Sequence, residues 1–320
     1  MPDKTPVSDL LAGEAAPGCK KLDPIVVVDK VSRQFGGLTA VDVDHVEIPR
    51  GAITALIGPN GAGKTTFFNL LTGFDKPNTG SWTFAGKNIA RVPAFKVARM
   101  GMVRTFQLTK ALSHMTVLEN MRLGAGQQGG ENLFTALIRP LWKKREVEIT
   151  DRAMDLLARF KLDTKSEDYA ASLSGGQRKL LEMARALMSE PTLVMLDEPM
   201  AGVNPALTQS LLHHIVQLKS EGMTVLFVEH DMHMVNEIAD WVIVMAEGRI
   251  VAEGPPSTVM SDPAVIDAYL GAHHDADLGT VDGQLLVAEE MASTLVRSEV
   301  EASAAAAQPS TPTTTERPTP

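Results

Sequence analysis

The sequence predicts an α/β fold with a mixed, largely parallel β core and a helical subdomain inserted into it. Three observations lead there. Residues 53–57, 193–196 and 224–228 are short, continuous apolar runs, as expected of strands buried on both faces of a parallel sheet. A glycine-rich segment, residues 58–66, follows the first run directly and leads into Phe67-Phe68-Asn69-Leu70-Leu71, so strand, turn and helix succeed one another. The stretch from about 88 to 172 is mostly helix-like and broken by the glycine cluster at 124–130.

Taken in chain order, residues 1–24 are rich in Pro, Gly, Ala and charge and are predicted to be a disordered arm. Order should begin at Ile25-Val26-Val27-Val28, a β-branched run. Residues 146–160 place Val147, Ile149, Ala153, Leu156, Leu157 and Phe160 at helical spacing. Residues 177–189 do the same with Leu180, Leu181, Ala184, Leu187 and Met188, and Pro191 should end that helix. The helical subdomain is thus placed at about 88–190, within a body spanning 25–271. Residues 272–320 carry eight acids against two bases, most of the net charge of −9. They end in a low-complexity Ser/Thr/Pro/Ala run and are predicted to be a mostly disordered, flexible tail.

Composition narrows the function. A net charge of −9 argues against nucleic acid as a partner. The single cysteine, Cys19, excludes an intramolecular disulfide and fits a reducing compartment. The first residues lack the apolar core of a secretory signal. No apolar run reaches the ~20 residues of a membrane-spanning helix, so work at a membrane would require a partner to hold the chain there.

The chemistry is concentrated in a few segments. Gly58-Pro59-Asn60-Gly61-Ala62-Gly63-Lys64-Thr65-Thr66 matches the phosphate-binding loop G-x-x-x-x-G-K-[ST], in the strand–helix context that it requires. Glycines let backbone N–H groups turn inward onto phosphate, and the helix N-terminus adds positive potential. Lys64 would reach the β- and γ-phosphates and Thr65 would ligate Mg²⁺. Asp197 and Glu198 end the run 193–196, where α/β sheets bind ligands. Asp197 is expected to hold Mg²⁺, and Glu198 to take the proton of an attacking water. Leu173-Ser174-Gly175-Gly176-Gln177 reads as a helix capping box through Ser174 and Gln177. Its paired glycines, unfavourable in a helix, suit a backbone that approaches an anion.

Together these segments resemble the ATP-binding cassette family across residues 25–271, which implies a P-loop ATPase cassette with ATP and Mg²⁺ as cofactors. On that resemblance Phe35 stacks on adenine, Gln107 senses Mg²⁺ and water, and His230 is the switch histidine at the γ-phosphate. Ser174, Gly175, Gly176 and Gln177 form the signature that meets a partner cassette's nucleotide. Asn204, in Ala201-Gly202-Val203-Asn204-Pro205, stands where many cassettes carry Asp.

Several runs are similar to one branch, the ATP-binding subunits of branched-chain amino-acid importers and their urea and amide relatives. They are residues 101–107, 115–120, 201–205, 228–232 and 262–271. Gly175 departs from the Tyr or His of many branch members. The resemblance implies two transmembrane permeases, a second ATP-binding subunit forming a sandwich dimer, and indirectly an extracytoplasmic substrate-binding protein. It also implies a peripheral place on the cytoplasmic face of the membrane. An exporter ATPase and a soluble cassette acting on a macromolecule are the alternatives.

Removal of residues 276–320 is expected to leave the melting temperature and ATP hydrolysis of the chain almost unchanged, because the segment is acidic, low in large apolar residues and outside every motif. A large drop in melting temperature on truncation would show that the tail packs on the body.

Overall fold

The computed structural model describes residues 15–105, 113–126 and 139–274 of the 320. Among these, the strands form two sheets. In the first, β1 (Pro24–Phe35) and β2 (Leu38–Pro49) make a long antiparallel hairpin, and β1 pairs on its other edge with β4 (Thr79–Phe84), which carries the short β5 (Lys87–Asn88). The second has the order β10-β9-β3-β8-β7-β6. Its members are β3 (Ile53–Ile57), β6 (Met102–Arg104), β7 (Leu193–Asp197), β8 (Thr224–Val228), β9 (Trp241–Ala246) and β10 (Arg249–Gly254). Every neighbouring pair from β9 to β6 is parallel, and only β10 runs antiparallel.

The parallel strands read as unbroken apolar runs because both faces are covered. On β3, Ile53, Ala55 and Ile57 face one core while Leu56 faces the other. Helix α1 (Lys64–Leu71) buries Phe67, Phe68, Leu70 and Leu71 in the core that also holds Val41, Val43, Val46 and Trp82 of the antiparallel sheet. It is therefore sandwiched between the two sheets. Helix α2 (Ala94–Arg99) lies just before β6, and its Val97 enters the same core. The opposite core is built from α3 (Val117–Gly124), α4 (Arg139–Arg159), α5 (Gly175–Leu187) and α6 (Pro205–Ser220), with Met121, Leu157, Leu181, Ala184 and Leu211 fully enclosed. Helices α7 (Met232–Ile238), α8 (Pro256–Val259) and α9 (Pro263–His274) complete the described body. None of the described helices is long and apolar enough to cross a membrane.

Two expectations need correction. The segment of about 88–190, expected to be a mostly helical insertion, also supplies a strand to the core, because β6 belongs to the central sheet and pairs in parallel with β7. Three residues are too few for a periodic signal. Order also begins before Ile25. Lys21 is buried, its Nζ 3.1 Å from Glu253 Oε2 and 4.1 Å from the centre of the Trp241 ring, and the Cys19 N–H donates to Glu253 Oε1. Nothing local in the sequence announces a partner more than 230 residues away. The rest of the expected arm, residues 1–14, and the expected tail from residue 275 on lie outside the described residues.

Helix α6 buries one titratable ring. His214 is 6% exposed, lies 4.4 Å from the Phe160 ring and has no hydrogen-bond partner at Nδ1. Burial, helped by the positive charges of Arg159 and Lys161, pushes its pKa down to about 4. The folded chain therefore keeps this ring neutral where the unfolded chain protonates it. Its contribution to stability is complete above the ordinary histidine value and is lost as pH falls from 6.5 towards 4, by at most ~1.4 kcal/mol per pH unit. His214→Leu should flatten the fall in melting temperature over that window. Parallel curves for the two chains would overturn this assignment.

Candidate nucleotide-binding and catalytic site

The loop after β3 is shaped by its glycines. Gly58, Gly61 and Gly63 all adopt positive φ, at 146°, 80° and 98°. A Cβ on Gly58 would lie 1.9 Å from the Met245 carbonyl oxygen, and one on Gly63 would lie 2.2 Å from that of Ala40. Both positions thus require glycine twice over, for conformation and for space. Gly63 precedes α1, whose first turn has no side-chain cap and no acid. Its N–H groups remain available to an anion, and the helix dipole favours one there. The residues fit a nucleotide phosphate chain.

Lys64 lies across this loop. Its Nζ donates to the carbonyl oxygens of Gly58 at 2.6 Å and Pro59 at 2.8 Å. Burial lowers its pKa from the ordinary lysine value, while the carboxylates of Glu198 and Asp197 act in the opposite direction. The lysine, the aspartate and the glutamate expected to act together are therefore neighbours in space, although 133 residues separate Lys64 from Asp197. Parallel pairing of β3 with β8 and of β8 with β7 produces this meeting. Thr65 follows Lys64 at the start of α1 and is exposed.

Asp197 ends β7 in an ion pair with Arg104, whose Nη2 stands 2.5 Å from Oδ2. The same guanidinium donates from Nη1 to Asn69 Oδ1 on α1. Arg104 thereby ties β6, α1 and β7 together beneath the site. Glu198 follows with φ 46°, in the left-handed region. His230 comes two residues after β8, with its side chain 69% exposed and Nδ1 3.8 Å from Glu229 Oε2. Phe35, at the end of β1, is 48% exposed, so it is not a core residue, and the Arg33 guanidinium already lies over its ring, 4.4 Å from the centre. Gln107 lies outside the described residues.

The signature segment has the local explanation in full. Ser174 Oγ accepts from the Gln177 N–H, and Gln177 Oε1 accepts from the Ser174 N–H, closing a capping box at the start of α5. Gly176 also has a reason within the chain, since a Cβ there would strike Leu207 Cδ2 at 1.7 Å. Gly175 faces open space and Ser174 is exposed, so packing dictates neither. Asn204 caps α6 by accepting from the Leu207 N–H, a bond that Asp could also make.

Sequence reasoning missed Arg104, Lys179 and Glu229. Arg104 stood inside the run quoted for Gln107, and Glu229 beside His230, an acid at the end of an apolar strand. Lys179 lies one helical turn beyond Gly175 and carried no signal.

Residues 41–201 match the ABC transporter family model, and residues 249–275 match that of the branched-chain amino acid ATP-binding cassette transporter. A probable branched-chain amino acid transport ATP-binding protein, LivG, of Archaeoglobus fulgidus is 42% identical over 248 residues, covering 78% of this chain and 96% of that protein. The high-affinity LivG of Escherichia coli K12 is 40% identical over 250 residues, covering 78% and 98%. Among solved structures, a nucleotide-free ATP-binding cassette from an ABC transporter has a TM-score of 0.68 and 37% identity, covering 77% of this chain and 98% of that one. The ADP conformation of such a cassette has a TM-score of 0.67 and 36% identity, covering 78% and 99%.

Gly63→Ala tests the shape of the loop. A Cβ 2.2 Å from a backbone oxygen at φ 98° should lower stability by about 2 kcal/mol or more and weaken nucleotide binding at least tenfold. Thermal unfolding and a fluorescent-nucleotide titration read the two effects. An alanine variant with unchanged melting temperature and affinity would show that the loop is not held as described.

Proposed function

The chain belongs to the ABC transporter family, and from that premise we propose that it is the ATP-hydrolysing subunit of an importer for branched-chain amino acids or related small solutes. One observation carries the choice of branch: residues 249–275 match the branched-chain amino acid cassette model, beyond the general cassette match of residues 41–201. The expected loop, signature and acidic pair all lie within residues 41–201, which the ABC transporter model matches.

In this reading the loop from Gly58 to Thr66 and the start of α1 hold the phosphates of ATP, and Phe35 stacks on adenine. Thr65, Asp197 and Gln107 would hold Mg²⁺, which when bound supplies charge neutralisation at the β- and γ-phosphates. Lys64 moves from the carbonyls of Gly58 and Pro59 to the phosphates, since an ammonium gains more from an anion than from two neutral acceptors. Glu198 accepts the proton of the attacking water, and His230 steadies the γ-phosphate. Catalysis is then mainly positioning and charge stabilisation. Ser174, Gly175, Gly176 and Gln177 serve the nucleotide of a second cassette, identical or paralogous, and the open position of Gly175 and Ser174 supports this.

Two permeases would anchor the chain at the cytoplasmic face of the membrane, and a substrate-binding protein would deliver the solute to them. A cleft of about 430 Å³ between α2 and α5 offers a contact surface, with Phe74 and Phe95 more than half exposed beside Arg104, Glu182 and Arg185.

Glu198→Gln should keep ATP binding and reduce turnover roughly 10²–10⁴-fold, the scale of a lost general base. The same variant should dimerise on addition of ATP, and a further Ser174→Arg change should prevent this, as read by sedimentation with the natural partner cassette present if there is one. Co-expressed with its permeases and binding protein, the wild type should show ATP hydrolysis stimulated by leucine. Near wild-type turnover in Glu198→Gln would remove the base assignment. A dimer that survives Ser174→Arg would reduce the signature to a helix cap, and stimulation by another solute class alone would redirect the substrate.

A further inference from the structure

The turn that carries Glu198 is gripped from two sides. Glu198 sits at φ 46°, a left-handed conformation that costs a non-glycine residue about 1–2 kcal/mol. The surrounding structure must supply what holds it there. On one side, Lys179 of α5 donates from Nζ to the carbonyl oxygens of Glu198 and Pro199, both at 3.0 Å. On the other, the buried carboxylate of Glu229 accepts from the Met200 N–H at 3.0 Å through Oε1 and from the His230 N–H at 3.3 Å through Oε2.

The arrangement follows the direction of the peptide dipoles. A cation faces the carbonyl side of the turn and an anion faces its N–H side. Glu229 is 2% exposed. Burial raises its pKa, and the Met200 and His230 N–H groups act against that rise. Burial likewise lowers the pKa of Lys179, with Glu229 the first of the carboxylates opposing it. A half-buried cation and a buried anion that attract one another thus flank the backbone immediately after Glu198. Glu229 also holds the backbone of His230, so one carboxylate fixes the approach to both residues.

We propose that Lys179 and Glu229 are positioning residues that hold the backbone from Glu198 to Met200 in its left-handed form and so aim the Glu198 carboxylate. The proposal rests on the assignment of Glu198 as the base. Lys179 lies on the helix that begins at the signature residue Ser174, so displacement of α5 is carried directly to the turn. Both residues act on backbone atoms, Lys179 on two carbonyl oxygens and Glu229 on two N–H groups.

The test uses the full chain in its assembled transporter. Lys179→Met and Glu229→Gln should each lower kcat about 10- to 100-fold, the scale of a catalytic group misplaced by about 1 Å. KM for ATP, and ATP affinity in the Glu198→Gln background, should stay within about twofold. Hydrogen exchange at the Met200 amide should accelerate in both variants. The double variant should be little worse than the poorer single one, because both act on one turn. Lys179→Arg, which keeps a cationic donor, should recover much of the rate. If Lys179→Met does not fold, Lys179→Gln replaces it with the same expectations for kcat, KM and exchange. An unchanged kcat, a parallel rise in KM, or unaltered exchange at Met200 would overturn the proposal. Full turnover in Glu198→Gln would instead remove the base assignment, while the exchange measurement would still report whether the two residues hold the turn.

Discussion

The candidate nucleotide site depends on the glycine loop being wedged between two sheets. The loop leaves β3 in the parallel sheet and is pressed against Met245 on β9 and Ala40 on β2, with no room for a side chain at Gly58 or Gly63. Backbone bonds fix the wedge: the Gly248 N–H donates to the Ala62 carbonyl at 3.0 Å, and the Asp42 N–H donates to the Gly248 carbonyl at 2.7 Å. The turn between β9 and β10 therefore clamps the loop to the antiparallel sheet. The same wedge traps α1, whose apolar side chains fill the space between the sheets. Its uncapped N-terminus is left pointing into the site.

Charge at the site is arranged rather than minimised. Lys64 is partly desolvated and faces Asp197 and Glu198. Asp197 is compensated by Arg104, which is also bonded to α1. Such pairs add little net stability when buried, but removal of one partner leaves an uncompensated charge. The consequence is fixed geometry: β6, β7 and α1 cannot shift independently without breaking a charged contact. The Lys21–Glu253 pair beside Trp241 does similar work at the start of the chain.

The signature segment illustrates how one sequence satisfies two demands. Ser174 and Gln177 close a capping box, and Gly176 makes room for Leu207 of α6. Those needs account for three of the four residues without any ligand. They also leave α5 with a well-formed, exposed N-terminus. One turn into that helix, the Lys179 side chain bonds the carbonyl oxygens of Glu198 and Pro199.

The sequence by itself determined the local chemistry. The glycine loop was legible because its glycines and Lys64 belong to one strand–turn–helix unit. Strands β3, β7 and β8 were legible because burial on both faces leaves unbroken apolar runs, and the α5 cap because its two members are three residues apart; β9, Trp241–Ala246, is an equally apolar run that the sequence reading passed over. Only the tertiary structure decided what depends on distant contacts. Strand β6 escaped notice because three residues hold no period, and its place is set by pairing with β7. Lys21 joins the body through Glu253. Arg104 reaches Asp197 across 93 residues, and Glu229 turns inward to the Met200 amide. These contacts are made by charged side chains whose partners are chosen by sheet order. A linear pattern of apolar and polar residues records that a charge is present, but not which buried group it will face.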